Sequence, residues 1–228
     1  MSTEQHWAEQ KKQFLKALFI PLIIALLMVL TFAFEKGMEF DFHQGGILPR
    51  SLKNLWGVFT YIFIHADVGH LINNVLSFIV LSVSLFYFYR LIATEILFLS
   101  YISSGLILWF IGRESWHIGA SGLIYSLAFF LFFSGLIRKH IPLIAISLII
   151  TFLYGSMIWH IFPWQTNDPI SWEGHLAGGF TGLILSVIYR RSGPQKPEIV
   201  WDNEEEIDTD EESSLNEMDD GISENERN

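Results

Sequence analysis

Cysteine is absent from the 228 residues, which excludes disulfides and thiolate metal sites. Charge is scarce: 17% of residues carry it, against about 25% in an ordinary soluble domain. Basic residues are nearly missing from the end of the chain. Residues 198–228 hold 14 acidic residues and one basic residue, Arg227, a net −13, whereas residues 1–197 hold 10 acidic and 13 basic residues, a net +3. The formal charge of −10 therefore belongs to a tail, and the body is mildly basic. No internal repeat is visible, which counts against a transporter built from inverted halves. No nucleic-acid partner is expected.

What the chain has in abundance is apolar surface. The hydrophobic fraction is 51% and the mean hydropathy +0.37, values that suit a polytopic membrane protein. Apolar runs near the length of a bilayer crossing occur at about 14–34, 69–89, 91–111, 119–137, 141–162 and 174–190. Lys11, Lys12 and Lys16 precede the first run. It is longer than a signal-peptide core and no small-residue cleavage site follows, so a retained span is expected. Residues 1–13 then form an N-terminal segment and 14–190 a six-helix domain. Residues 191–228 form an acidic tail too poor in apolar residues to fold.

Lysine and arginine placement orients the spans. Lys11, Lys12, Lys16, Arg90, Arg138, Lys139, Arg190, Arg191 and Lys196 fall on one side. The positive-inside rule puts that side, and both termini, in the cytoplasm, with a bacterial cell membrane as the expected setting. The first loop, 35–56, mixes Phe40, Phe42, Ile47, Leu48, Leu52, Leu55 and Trp56 with charges, glycines and Pro49. It reads either as a segment lying in the membrane interface or as an ordinary outer loop.

Two motifs stand out in this apolar background. Gly119-Ala120-Ser121-Gly122 opens the fourth span, and His175 lies in the first turn of the sixth. A helix that starts at Ser121 aims free backbone N–H groups beside its hydroxyl, donors suited to an oxyanion. The plain alternative is small-residue packing, since Gly122 and Ser126 form a small-xxx-small pair. His175 shares a helix face with Gly178, Gly179 and Gly182, and Gly174, Gly178 and Gly182 recur every fourth residue. Such a face lets a neighbouring backbone come close. If that neighbour is the fourth helix, the imidazole meets Ser121 and can act as its general base. No acidic residue in the spans is placed to orient His175, so a dyad is expected rather than a triad.

Tyr125, one turn after Ser121, either stacks on the imidazole or is an ordinary buried aromatic. His70 and Asn74, at i and i+4 near the outer end of the second span, offer donors that complete an oxyanion site with the Ser121 N–H. A metal shared by His70 and His175 is the alternative, but no carboxylate or third histidine stands at ligand spacing. Asn73 should point elsewhere, and Tyr61 and His65 should belong to a structural polar network. His6, His43, His117, His140 and His160 have no comparable partners and read as bystanders.

Together these residues resemble the rhomboid family of intramembrane serine proteases. The match runs from about residue 55 to 190 and rests on His70-Leu-Ile-Asn-Asn74, Gly119-Ala-Ser-Gly122 and Gly174-His175-Leu-Ala-Gly178, in that order. The resemblance implies an all-α, polytopic membrane protein, a six-transmembrane-helix rhomboid-like bundle with a water-filled cavity open to the outer side. It implies cleavage of transmembrane protein substrates within the bilayer, with no metal or organic cofactor. By matching position Ser121 is the nucleophile and His175 the base. His70, Asn74 and the Ser121 amide form the oxyanion site, Tyr125 stacks on His175, and Gly119, Gly122, Gly178 and Gly182 support the fit. A pseudoprotease that binds transmembrane helices without cutting them is the alternative. Three departures concern loop anchoring and bundle stability. The first loop lacks a Trp-Arg dipeptide, Phe86 and Phe88 stand where relatives carry a glutamate–arginine motif, and Gly174 replaces a frequent alanine.

Overall fold

The structure is a computed structural model that describes residues 3–155, 161–162 and 171–195. Six α-helices lie in this part of the chain: α1 Thr3–Gly37, α2 Val68–Phe88, α3 Ala93–Ile111, α4 Ser121–Arg138, α5 Ile141–Tyr154 and α6 Trp172–Ile188. Among the described residues there is no β-strand, only an isolated bridge between Ile47 and His117. By length and apolarity α1, α2, α3 and α4 are each able to cross a membrane, while α5 and α6 have 14 and 17 residues. The protein is a helical integral membrane bundle. The acidic tail, His160 and most of the segment between α5 and α6 lie outside the described residues.

Helix boundaries follow local chemistry more closely than hydropathy. α1 begins at Thr3, eleven residues before the apolar run, because the polar stretch Thr3–Gln13 consists largely of good helix formers. α2 starts where the Asp67 carboxylate accepts the His70 N–H at 2.8 Å, a side-chain N-cap. α4 starts at Ser121 and not at Gly119, because Gly119 has φ +97° and cannot be helical. It ends at Lys139, held in the left-handed region at φ 50°. α5 is described over Ile141–Tyr154, and residues 156–160 of the apolar run lie outside the described residues. α6 begins one turn before His175, where the Ser171 hydroxyl accepts the Gly174 N–H at 3.1 Å.

α4 is the central post. Two thirds of its most apolar window (67%) is buried in protein, against 28% for α1 and 33% for α2 and α3. Lipid tails are as apolar as leucine, so tight packing rather than escape from water holds these helices together. Leu123, Ile124, Leu127 and Phe130 of α4 join Phe78, Leu81 and Leu85 of α2, Ile96 of α3 and Met28 of α1 in one core. α6 crosses α4 at backbone contact. A Cβ on Gly178 would lie 2.0 Å from the Gly122 carbonyl oxygen, and one on Gly182 would lie 2.1 Å from that of Ser126. α5 meets the other side of α4, where the Ser147 hydroxyl donates to the Phe132 carbonyl at 2.9 Å beside Gly135.

The first loop folds back as three 3₁₀ segments, His43–Gly45, Leu52–Phe59 and Tyr61–Phe63. Ile47, Val58, Tyr61, Ile62 and Ile64 point inward, while Leu52, Trp56 and Phe59 are exposed. That division suits a segment seated in the membrane interface. An arginine and a tryptophan from two elements anchor it. The Arg50 guanidinium donates to the Gly112 carbonyl at 2.8 Å, and the Trp109 indole N–H donates to the Ser51 carbonyl at 3.2 Å. At the opposite end of the bundle, Arg138 donates to the Ser134 hydroxyl and to the carbonyls of Tyr189 and Pro194 and lies over the Tyr89 ring. The Tyr189 hydroxyl donates to Glu95.

Candidate active site

Three helix starts converge on one cavity of about 650 Å³. α2 brings His70 and Asn74, α4 brings Ser121 and Tyr125, and α6 brings His175, all of which line it. The capped start of α2 fixes His70, and the turn at Gly119 lets the chain pass under it. A Cβ on Gly119 would fall 2.6 Å from His70 Nε2 and 3.2 Å from Asn74 Nδ2, so only glycine admits both donors beside the serine segment. The Gly119 N–H donates to the Tyr61 carbonyl at 2.8 Å, which ties this turn to the first loop.

The glycine face of α6 sets the depth of His175. Gly122 faces the Gly174 carbonyl, with a would-be Cβ at 3.2 Å, and Gly178 faces Gly122 in turn. Tyr125 lies parallel to the imidazole, ring centroids 4.2 Å apart and planes 7° from coplanar. Of the two readings open for Tyr125, stacking is the observed one. Asn74 is 6% exposed, and its Nδ2 has no hydrogen-bond partner among the described residues. A buried donor left open costs roughly 1–3 kcal/mol, a cost that calls for a use.

Several residues behave differently from expectation. Asn73 is exposed and lines the cavity rather than pointing away, because α2 starts at its very edge. Tyr61 does sit in a polar network, bonded to Ser104 and the Tyr101 carbonyl. His65 does not: neither ring nitrogen makes a hydrogen bond of ordinary geometry, and the ring stands edge-on to His70 at 5.1 Å. Burial, reinforced by the neighbouring His70, lowers its pKa to about 4. His43 and His117, read as bystanders, both line the cavity. No spacing rule reveals His117, since its partner Ser171 is 54 residues away. Among the described residues no group of three or more histidine and acidic side chains is placed to hold a metal ion.

The Rhomboid domain model matches residues 52–192 of this chain. The chain belongs to the rhomboid family. Among its relatives is an uncharacterized protein of Mycobacterium tuberculosis, 35% identical over 162 residues, 66% of this chain and 65% of the relative. Rhomboid-related protein 2 of Mus musculus is 28% identical over 60% of this chain and 49% of its own length. Rhomboid-related protein 1 of Caenorhabditis elegans is 26% identical over 61% and 41%. The chain thus spans less than two thirds of the length of each of these three rhomboid relatives.

Proposed function

We propose that this rhomboid is an intramembrane serine endopeptidase that cleaves transmembrane segments of other membrane proteins. The observation that carries the reading is the meeting of Ser121, His175, His70 and Asn74 on one cavity, with Tyr125 stacked on the imidazole. His175 takes the Ser121 hydroxyl proton as the oxygen attacks the scissile carbonyl carbon. The negative charge passes to the carbonyl oxygen, where the Asn74 amide, His70 and the Ser121 N–H donate to it. The intermediate then collapses, His175 returns its proton to the departing amine, and an acyl-serine remains. A water deprotonated by His175 hydrolyses it. No cofactor enters this scheme. Stacking on Tyr125 fixes the ring plane, the task that an acid performs in a triad. The cavity lies at the outer ends of α2 and α4 in the orientation set by the basic residues, so water and substrate meet there with both termini on the cytoplasmic side.

Purified protein in detergent, treated with a fluorophosphonate probe, should label at Ser121. Ser121→Ala should lose labelling and cleavage of a model transmembrane substrate together, and His175→Ala should lose nearly all of both. Labelling that persists in Ser121→Ala would place the nucleophile elsewhere. A wild type that binds transmembrane helices yet neither labels nor cuts would mark a pseudoprotease.

A further inference from the structure

His117 stands four residues before Ser121, and Ser171 stands four before His175. Their side chains meet, with His117 Nδ1 and Ser171 Oγ 2.7 Å apart. The protons in this contact can be placed. His117 Nε2 lies 3.1 Å from the Arg113 carbonyl, which only accepts, so Nε2 carries the hydrogen. Burial keeps the ring below the usual histidine range and hence neutral, which leaves Nδ1 as an acceptor. The Ser171 hydroxyl therefore donates to Nδ1, while its oxygen accepts the Gly174 N–H at 3.1 Å. The bonds run without a break from Gly174, the peptide neighbour of His175, to the segment that leads into Ser121.

Two further ties stiffen this junction. The buried Glu173 carboxylate lies 3.6 Å from Arg113 Nε and accepts the Arg113 backbone N–H at 3.4 Å. The His117 backbone exchanges two 2.9 Å hydrogen bonds with Ile47, which fastens it to the first loop. An apolar ring would fill the same volume without the desolvation that an imidazole costs. The polar ring is spent on joining the two segments that deliver the dyad.

We propose that His117, acting through Ser171, is a positioning residue that locks the start of α6 to the segment preceding Ser121 and so holds His175 in register with the serine. The inference rests on the protease reading given above. Its test uses the full chain in proteoliposomes with a model transmembrane substrate, recording kcat, KM, the fluorophosphonate labelling rate and the unfolding midpoint. His117→Phe keeps the shape and removes the acceptor. His117→Asn keeps an acceptor near the place of Nδ1. Ser171→Gly removes the hydroxyl while leaving a residue that caps helices nearly as well.

His117→Phe and Ser171→Gly should lower kcat and labelling roughly 10- to 100-fold, the scale set by an ångström-level misplacement of reacting groups. KM should stay within about twofold, and His117→Asn should recover most of the rate. A His117→Phe enzyme that turns over like the wild type overturns the proposal. So does a loss that tracks unfolding and is not rescued by His117→Asn. If His117→Phe does not fold, Ser171→Gly against the wild type decides the matter by the same readouts. Wild type that neither labels nor cuts overturns the protease reading itself, and this inference with it.

Discussion

Replacing Gly178 by alanine sets two effects against each other. Alanine favours a helix over glycine by about 1 kcal/mol, which would stabilise α6 taken alone. In the bundle the new Cβ would lie 2.0 Å from the Gly122 carbonyl oxygen, 2.9 Å from its carbon and 3.1 Å from Tyr125 Cβ. The obstacle is the backbone of a helix, which cannot swing aside as a side chain can. The helices must part by about 1.4 Å to restore an ordinary 3.4 Å contact. Overpacking of this kind costs typically about 1–3 kcal/mol against the roughly 1 kcal/mol gained in propensity, so the variant is destabilised by up to about 2 kcal/mol. The same displacement moves His175 on α6 away from both Ser121 and Tyr125 on α4, and an ångström there is worth about 100-fold in rate. Gly178→Ala should therefore lose activity far beyond its loss of stability. Gly122→Ala, with a contact of 3.2 Å, should be intermediate, and Gly37→Ala, with open space around it, should be silent. Substrate cleavage and the thermal unfolding midpoint in the same detergent measure both effects. A Gly178→Ala protein as active as Gly37→Ala would refute the claim that α4 and α6 meet at backbone contact.

His65 should make the fold acid-sensitive. Its pKa of about 4 lies below the usual 6.5, so the unfolded chain binds a proton that the folded chain refuses between those values. Its contribution is complete above pH 6.5 and is lost as pH falls towards 4, a swing on the order of 3 kcal/mol. Unfolding midpoints at pH 7.5 and pH 5 should differ in the wild type and differ by less in His65→Gln, where buried His117 still favours its neutral form; equal differences would refute this. Asn74→Leu should separate stability from activity, since it removes an open buried donor. Cleavage should fall roughly 100- to 1,000-fold, while the unfolding midpoint holds or rises. A midpoint that falls along with activity would mean that the Asn74 amide is already partnered in the folded protein.

Much of this bundle can be read from the chain because lipid enforces a simple grammar. A spanning helix needs a continuous apolar run, so α1 to α4, each long and apolar enough to cross, announce themselves. The fourfold repeat of Gly174, Gly178 and Gly182 marks a contact face, and that face is the one packed on α4. Hydropathy is silent on polar helix, so the start of α1 at Thr3 escaped it. The loop anchors were hidden for a different reason. Arg50 with Gly112, Trp109 with Ser51 and His117 with Ser171 are pairs more than 50 residues apart in loops or at helix ends, where no periodicity operates. Asn73 and His117 line the cavity although spacing does not point to them, because the wall of a cavity combines several segments and spacing within one segment cannot show it.

The burial of α4 has a consequence for how this protein meets its surroundings. The helix that carries Ser121 is insulated by its neighbours, whereas α1 presents Leu15, Phe19, Leu26 and Leu30 to the bilayer. Changes in acyl-chain length or detergent press first on α1 and reach the serine only after passing through packed side chains. By the same insulation, mutational drift is lopsided. The outer helices can exchange one greasy residue for another, while on α4 that freedom is confined to positions such as Leu136 and Ile137, which are exposed.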